Sequence, residues 1–230
     1  MNKNSKFYKV LVKVETGIKR MSEQATAVRW YLEADDIETA YEKAIKLEAV
    51  TEKTTLLTRV LPAYTGNPNA AKTVDEIVAD IIKVEMGFTA EGWFCLRIPA
   101  LLPKKASGST EYIRAYLVEA MKKFFEGKPR IRYRDCVLIF RHVYDRDRPE
   151  RLMRDHDNIE VNKVADIVAM HVLPDDNPSV CSHYYCSASA SEDRTEVYVV
   201  PKHDFPMWCI EEQTMPDKGV MLYENIIAGA

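Results

Sequence analysis

Apolar and polar positions change register several times along the first 85 residues. Residues 7–15, FYKVLVKVE, and 28–33, VRWYLE, alternate apolar with polar, the pattern of strands with one wet face. Asp35 stands three residues before Glu38 in a capping-box-like start, and Ile37, Ala40, Tyr41, Ala44 and Ile45 follow at helical spacing. This predicts a helix of about 12 to 15 residues. Residues 54–61, TTLLTRVL, are β-rich and close before Pro62, so the expected N-terminal unit is β-β-α-β. The turn-rich stretch PAYTGNPN, residues 62–69, is the best linker candidate. Thr73 with Glu76 then opens a second helix carrying Val74, Ile77, Val78, Ile81 and Val84.

From Trp93 the pattern changes. Residues 93–98, WFCLRI, read as a strand and PALLPKKASGS as a loop. Ile113, Tyr116, Leu117, Ala120, Met121, Phe124 and Phe125 fit the i, i+3, i+4 series, and Gly127 before Lys128-Pro129 stops that helix. Residues 130–140 extend next, with Arg130, Arg132 and Arg134 on one strand face and Cys136 to Phe140 an apolar run buried on both sides. The charged loop YDRDRPERLMR leads to Asp155, and residues 158–171 read as a helix. The turn PDDNP and two strands, about 180–190 and 195–200, complete the pattern, with no element assigned to residues 201–230 and no internal repeat. The fold class is α/β of the α+β type: a unit over 1–85, a core over 90–200 and a C-terminal extension over 201–230.

Composition refines this picture. A chain of 230 residues with 47% hydrophobic and 29% charged positions buries roughly 70% of its unfolded surface, enough for one large core or two small ones. No run approaches the ~20 apolar residues of a membrane helix and the start MNKNSKFYK is polar, so the expectation is a cytoplasmic protein without a membrane partner. The net charge of −3 argues against indiscriminate nucleic-acid coating. Residues 1–100 carry 14 basic and 14 acidic side chains, 101–154 carry 14 and 7, and 155–230 carry 4 and 14, so a +7 segment runs into one of −10.

The residues RDHDN, 154–158, hold two carboxylates at i and i+2, which on an extended segment point the same way and can bracket one hard cation. The plainer reading is that Asp157 or Asn158 caps the following helix and that Asp175 and Asp176 are turn residues. Asn158, Asn162 and Asp166 at i, i+4 and i+8 form a polar stripe that would face the carboxylates. Oxygen-only ligation selects Mg²⁺ or Mn²⁺, ions that serve phosphodiester cleavage.

The run RDHDNIEVNKVADIVAMHVLPDDNPSV, with a helix and a strand before it and a strand pair after it, resembles the core of the RusA-type Holliday-junction resolvases over residues 90–200. The resemblance implies a RusA-like core of a small mixed sheet with two helices, a homodimer, and Mg²⁺-dependent nicking of four-way DNA junctions. Residue by residue it implies Asp155, Asp157 and Asp176 as metal ligands and catalytic carboxylates, with Asn158 and Asp166 matching its asparagine and helix aspartate; Asp175 is a further candidate metal ligand, and Asn162 completes the polar stripe around the site. The family's lysine falls on Val161 here; Lys163, two residues later and about 200° round a helix, is the candidate for its role. Lys104, Lys105, Arg130, Arg132, Arg134, Arg146, Arg148, Arg151 and Arg154 are the candidate DNA contacts.

Other chemistries find less support. Five cysteines form no C-x-x-C pair and read as free thiols. Cys181-x-His183-x-x-Cys186 matches no common zinc spacing, since Cys181 and His183 share a strand face while Cys186 points the other way. No glycine-rich phosphate loop occurs, so no nucleotide cofactor is expected, and His142, His156 and His171 stand apart and read as structural. The alternative to a nuclease is a catalytically inactive DNA-binding or protein-interaction module on the same fold.

Overall fold

The computed structural model describes residues 5–105, 109–129, 131–147, 156–175 and 177–226. The chain divides into two compact units, 1–74 and 75–230.

The first unit is an antiparallel helical hairpin. α1 spans Lys6–Glu33 and α2 spans Ile37–Val60. Ser5 Oγ caps α1 by accepting from the Tyr8 N–H at 3.2 Å, and Asp36 Oδ1 caps α2 by accepting from the Thr39 N–H at 3.0 Å. Between them Asp35 takes a left-handed φ of 59°, which aspartate tolerates better than most residues, so the cap falls one residue later than the sequence suggested. The three strands expected here are helical. Val10, Val12 and Val14 would share a strand face, but in α1 Val10 and Val14 are buried and Val12 is 40% exposed. In the segment TTLLTRVL the threonines fit a helix because their hydroxyls bond back to the preceding turn, Thr54 Oγ1 to the Val50 carbonyl at 2.7 Å and Thr58 Oγ1 to the Thr55 carbonyl at 2.8 Å. Where the helices approach, a Cβ added at Gly17 would stand 2.2 Å from Thr54 Oγ1. A 3₁₀ turn over Leu61–Thr65 and Gly66, with φ of 82°, follow inside the expected linker.

A third helix, α3, covers Ala70–Ile81. The second unit is built on a five-stranded sheet in the order β1-β2-β5-β3-β4: β1 is Glu85–Phe88, β2 Phe94–Ile98, β3 Cys136–Asp145, β4 Cys181–Ala190 and β5 Arg194–Pro201. β3 and β4 are parallel, joined through the crossover helix α5, Asn162–Val172; the other neighbours are antiparallel. α4, Ser109–Phe125, buries Ile113, Tyr116, Leu117 and Met121 on the expected face, and ends before Gly127 at φ 72°. Phe124 and Phe125 of α4 meet Phe94 of β2, with ring centroids at 6.0 and 5.5 Å. On the opposite sheet face Trp93, Cys95, Val137, Ile139, Tyr198 and Val200 enclose Trp208 of α6, Phe205–Glu212, a helix in the stretch left without an element.

The fold class stands as mixed α and β, with six α-helices and this mixed sheet among the described residues. Cys136 to Phe140 is buried as expected. Arg132 and Arg134 are not on a strand: β3 starts at Cys136 because Asp135, at φ 52°, breaks the extended run, and the Tyr133 N–H bonds to the Val172 carbonyl instead of a neighbouring strand. The helix expected from residue 158 starts at Asn162, since His156–Asn158 form a separate 3₁₀ turn. The polar stripe is therefore Asn162 and Asp166 without Asn158.

Candidate functional site

Asp155 and Asp176, the side chain of Asp157, and Arg130, Arg148, Arg151 and Arg154 lie outside the described residues. Those described fall into two groups at opposite ends of α5.

At the N-terminal end of α5, the loop after β2 runs as a short strap against the segment that follows Asp157. Lys104 forms an antiparallel bridge with Ile159, the Lys105 N–H donates to the Asn158 carbonyl at 2.8 Å, and the Glu160 N–H donates to the Pro103 carbonyl at 3.0 Å. Lys104 and Lys105 are both exposed, while Glu160 is buried and accepts from Ser109 Oγ at 3.0 Å. Lys163 stands in the first turn of α5, 3.9 Å from the Asp166 carboxylate. Val161 is 4% exposed, so the position that would match the family's lysine is core.

His156 reaches from this turn onto the sheet. Its ring lies 5.3 Å from His142 of β3 and 6.0 Å from Tyr185 of β4, and its Nε2 is 3.4 Å from Ser187 Oγ. His142 and Ser187 are register partners, so β3 and β4 set the floor on which the turn rests. Two of the histidines expected to stand apart are thus neighbours. No spacing in the chain could have paired residue 142 with 156, because parallel register and a crossover helix bring them together. His171 stacks on Phe125 at 5.6 Å, a packing role.

At the other end of α5, Asp175 Oδ2 accepts from Asn177 Nδ2 at 2.6 Å within a turn that leads through Val180 to the start of β4. An eleven-residue helix is about 16 Å long, so Asp175 stands well away from Asn158 and the Lys104–Lys105 strap. Arg132 binds the His171 carbonyl near this end, Arg134 is exposed beside it, and Arg146 pairs with Asp217 beyond the far end of β3. The described basic residues therefore do not form one continuous face. Among the described residues no three His, Cys, Asp or Glu side chains converge on a point that would hold a metal ion. Asp166, engaged with Lys163, and Asp175, engaged with Asn177, do not make such a site.

The sheet itself holds a charged network that sequence reading missed. Glu196 in β5, fully buried, accepts from Arg194 Nε at 2.6 Å, Arg141 Nη1 at 3.0 Å and the Tyr198 hydroxyl at 2.9 Å, with Arg97 Nε 3.6 Å away. Arg97 and Arg141 reach outward to Glu85 at 2.6 Å and Glu212 at 2.9 Å. Burial alone would raise the Glu196 carboxyl, but Arg141 and Arg194 outweigh it and hold the group below the usual carboxylate range. Its signal was present: Arg194, Glu196 and Tyr198 alternate on one strand face.

No helix among the described residues is long and apolar enough to cross a membrane. No curated protein matches the chain. Of solved structures, it is similar to the periplasmic domain of Helicobacter pylori MotB, with 13% identity, 58% of this chain and 88% of that chain covered, and a TM-score of 0.29. That likeness is too slight to carry an argument. Residues 2–226 match the family described as a family of unknown function, DUF6100, and the chain belongs to it.

Proposed function

We propose that this chain is a structure-selective DNA endonuclease acting on branched DNA, with a divalent cation as cofactor. The observation that carries the reading is the strap: main-chain bonds fix Lys104 and Lys105 against Asn158–Glu160, next to the His156–Asn158 turn, with Lys163 in the first turn of α5. Exposed ammonium groups at such a place bind phosphate oxygens and release the counterions condensed on DNA, a contact that reads backbone geometry and not base sequence. Helix α4, strand β3, the turn His156–Asn158, helix α5 and strands β4 and β5 follow in the order read from the sequence, but β3 lies between β4 and β5, so the two strands expected as a pair are not neighbours. Hydrolysis is assigned by the resolvase resemblance to Asp155, Asp157 and Asp176, and homodimerisation with it.

A second reading has specific observations behind it. Val161 is core and Asp175 is engaged in its own turn at the far end of α5, which favours a module that binds branched DNA without cutting it.

One experiment separates the two. Purified protein is incubated with a labelled four-way junction and with linear duplex of the same sequence, with Mg²⁺ or Mn²⁺. The expected outcome is preferential junction binding, weakened several-fold in Lys104→Ala/Lys105→Ala, and nicking abolished by Asp157→Asn. Junction binding without nicking establishes the second reading. Equal or absent binding of both DNAs overturns both.

A further inference from the structure

Cys136 and Cys181 are the first residues of β3 and β4 and are register partners in the parallel ladder. Paired residues of neighbouring strands lie about 4.8 Å apart, inside the window over which two cysteine Cα atoms can be bridged. Both side chains turn to the same sheet face, where the Cys136 thiol donates to the Val180 carbonyl at 3.7 Å and the Cys181 thiol to the Ser182 carbonyl at 3.4 Å. His183, two residues on and on the same face, sits against the Cys181 sulfur. Both cysteines are free thiols here.

We propose that Cys136 and Cys181 form a dithiol–disulfide redox site whose substrate class is the low-molecular-weight disulfide, with Cys181 as attacking and Cys136 as resolving thiol. The Cys181 thiolate attacks one sulfur of oxidised glutathione, the glutathione S–S bond breaks, and one glutathione leaves as a thiolate that takes up the proton lost by Cys181. Cys136 then gives up its proton, and its sulfur attacks Cys181 Sγ. The mixed disulfide breaks and the second glutathione leaves as a thiol. The protein loses two electrons and two protons; one small disulfide becomes two thiols.

Two features assign the order of attack. The neighbouring Cys136 thiol and the imidazole of His183 lower the Cys181 thiol, while the Cys181 sulfur raises Cys136. β4 is an edge strand, and Ser182 and His183 beside Cys181 are exposed, so fraying of its first residues brings the sulfur to solvent. Cys186 and Cys209 are more exposed but less reactive: burial and the nearby Glu212 push the Cys186 thiol up to about 12 and raise Cys209.

The full chain is incubated near neutral pH with oxidised glutathione, then alkylated and mapped by mass spectrometry. The expected wild-type product has lost two hydrogens, retains no glutathione, links the Cys136 and Cys181 peptides, and keeps three of its five thiols free. In Cys136→Ser, checked for a native circular-dichroism spectrum, one glutathione stays on Cys181. Five thiols still free in the wild type, or modification of Cys186 or Cys209 ahead of the pair, would overturn the proposal. The wild-type peptide map decides it even where the serine variant does not fold.

Discussion

Three guanidinium groups converge on one buried carboxylate in the middle of a sheet, which makes Glu196 the residue whose removal is felt most widely. Each arginine would be left in a site that excludes water, and breaking a buried pair from one side costs about 3–5 kcal/mol. Glu196→Gln preserves the volume, and we expect it to lower the unfolding free energy by about that amount, measured by urea titration at neutral pH. The pH dependence follows from the direction of the shift. The folded carboxyl is held below the 4.5 of a free glutamate, so its stabilisation is complete above that value and is lost as pH falls through the lower folded one. Wild-type stability should decline on acidification below about pH 4.5 with a steeper slope than that of Glu196→Gln, as chemical denaturation across pH would register. The proposed thiol chemistry belongs to this scale too, since the neighbouring Cys136 and His183 lower the Cys181 thiol while burial raises Cys186 and Cys209.

Among elements, the helical hairpin depends on one close approach. Alanine at Gly17 would gain about 1 kcal/mol of helix propensity, yet its Cβ would meet Thr54 Oγ1 at 2.2 Å, and Thr54 is buried, so one helix must move. Gly17→Ala should therefore destabilise α1 and α2 by about 1–2 kcal/mol, and in a Thr54→Ala background it should be neutral or stabilising. Hydrogen exchange of the α1 and α2 amides reports the difference. This is also where the sequence was hardest to read. Valines at 10, 12 and 14 satisfy a period of two as well as they satisfy a helix, and only the following turns, with Gly17 facing Thr54, break the tie. In the second unit α4, β3, β4 and β5 were legible as elements because buried runs and helical stripes there are long and bounded by turn residues, whereas the insertion of β3 between β4 and β5 was not. β1, four residues long, gives no period to count, and α6 opens with Pro206 among aromatics that pack from several directions. Of the candidate site, Lys104 and Lys105 were singled out by charge alone, and their place against Asn158–Glu160 follows from long-range main-chain bonds that no motif encodes. That Asp175 follows a helix was legible from the 158–171 pattern, and the eleven residues of α5 keep it away from the strap.

For the whole molecule, charge is unevenly shared: the first unit carries 12 basic and 9 acidic side chains, the second 20 and 26. A second unit with a net charge of −6 can hold DNA only where its cations are locally concentrated. With Lys104, Lys105 and Lys163 as the described contacts, the logarithm of junction affinity should fall with the logarithm of salt concentration at a slope of roughly −3, measured by fluorescence anisotropy. A slope near −10 would require a far broader basic surface than the strap supplies. The strand order has a different implication, for synthesis. β5, made after every other strand, lies between β2 and β3, so a growing chain holds two half-sheets with open edges until Pro201 has emerged. Closure of this sheet is therefore tied to synthesis of β5, and a product ending before Arg194 exposes two pairing edges that can join chains to one another.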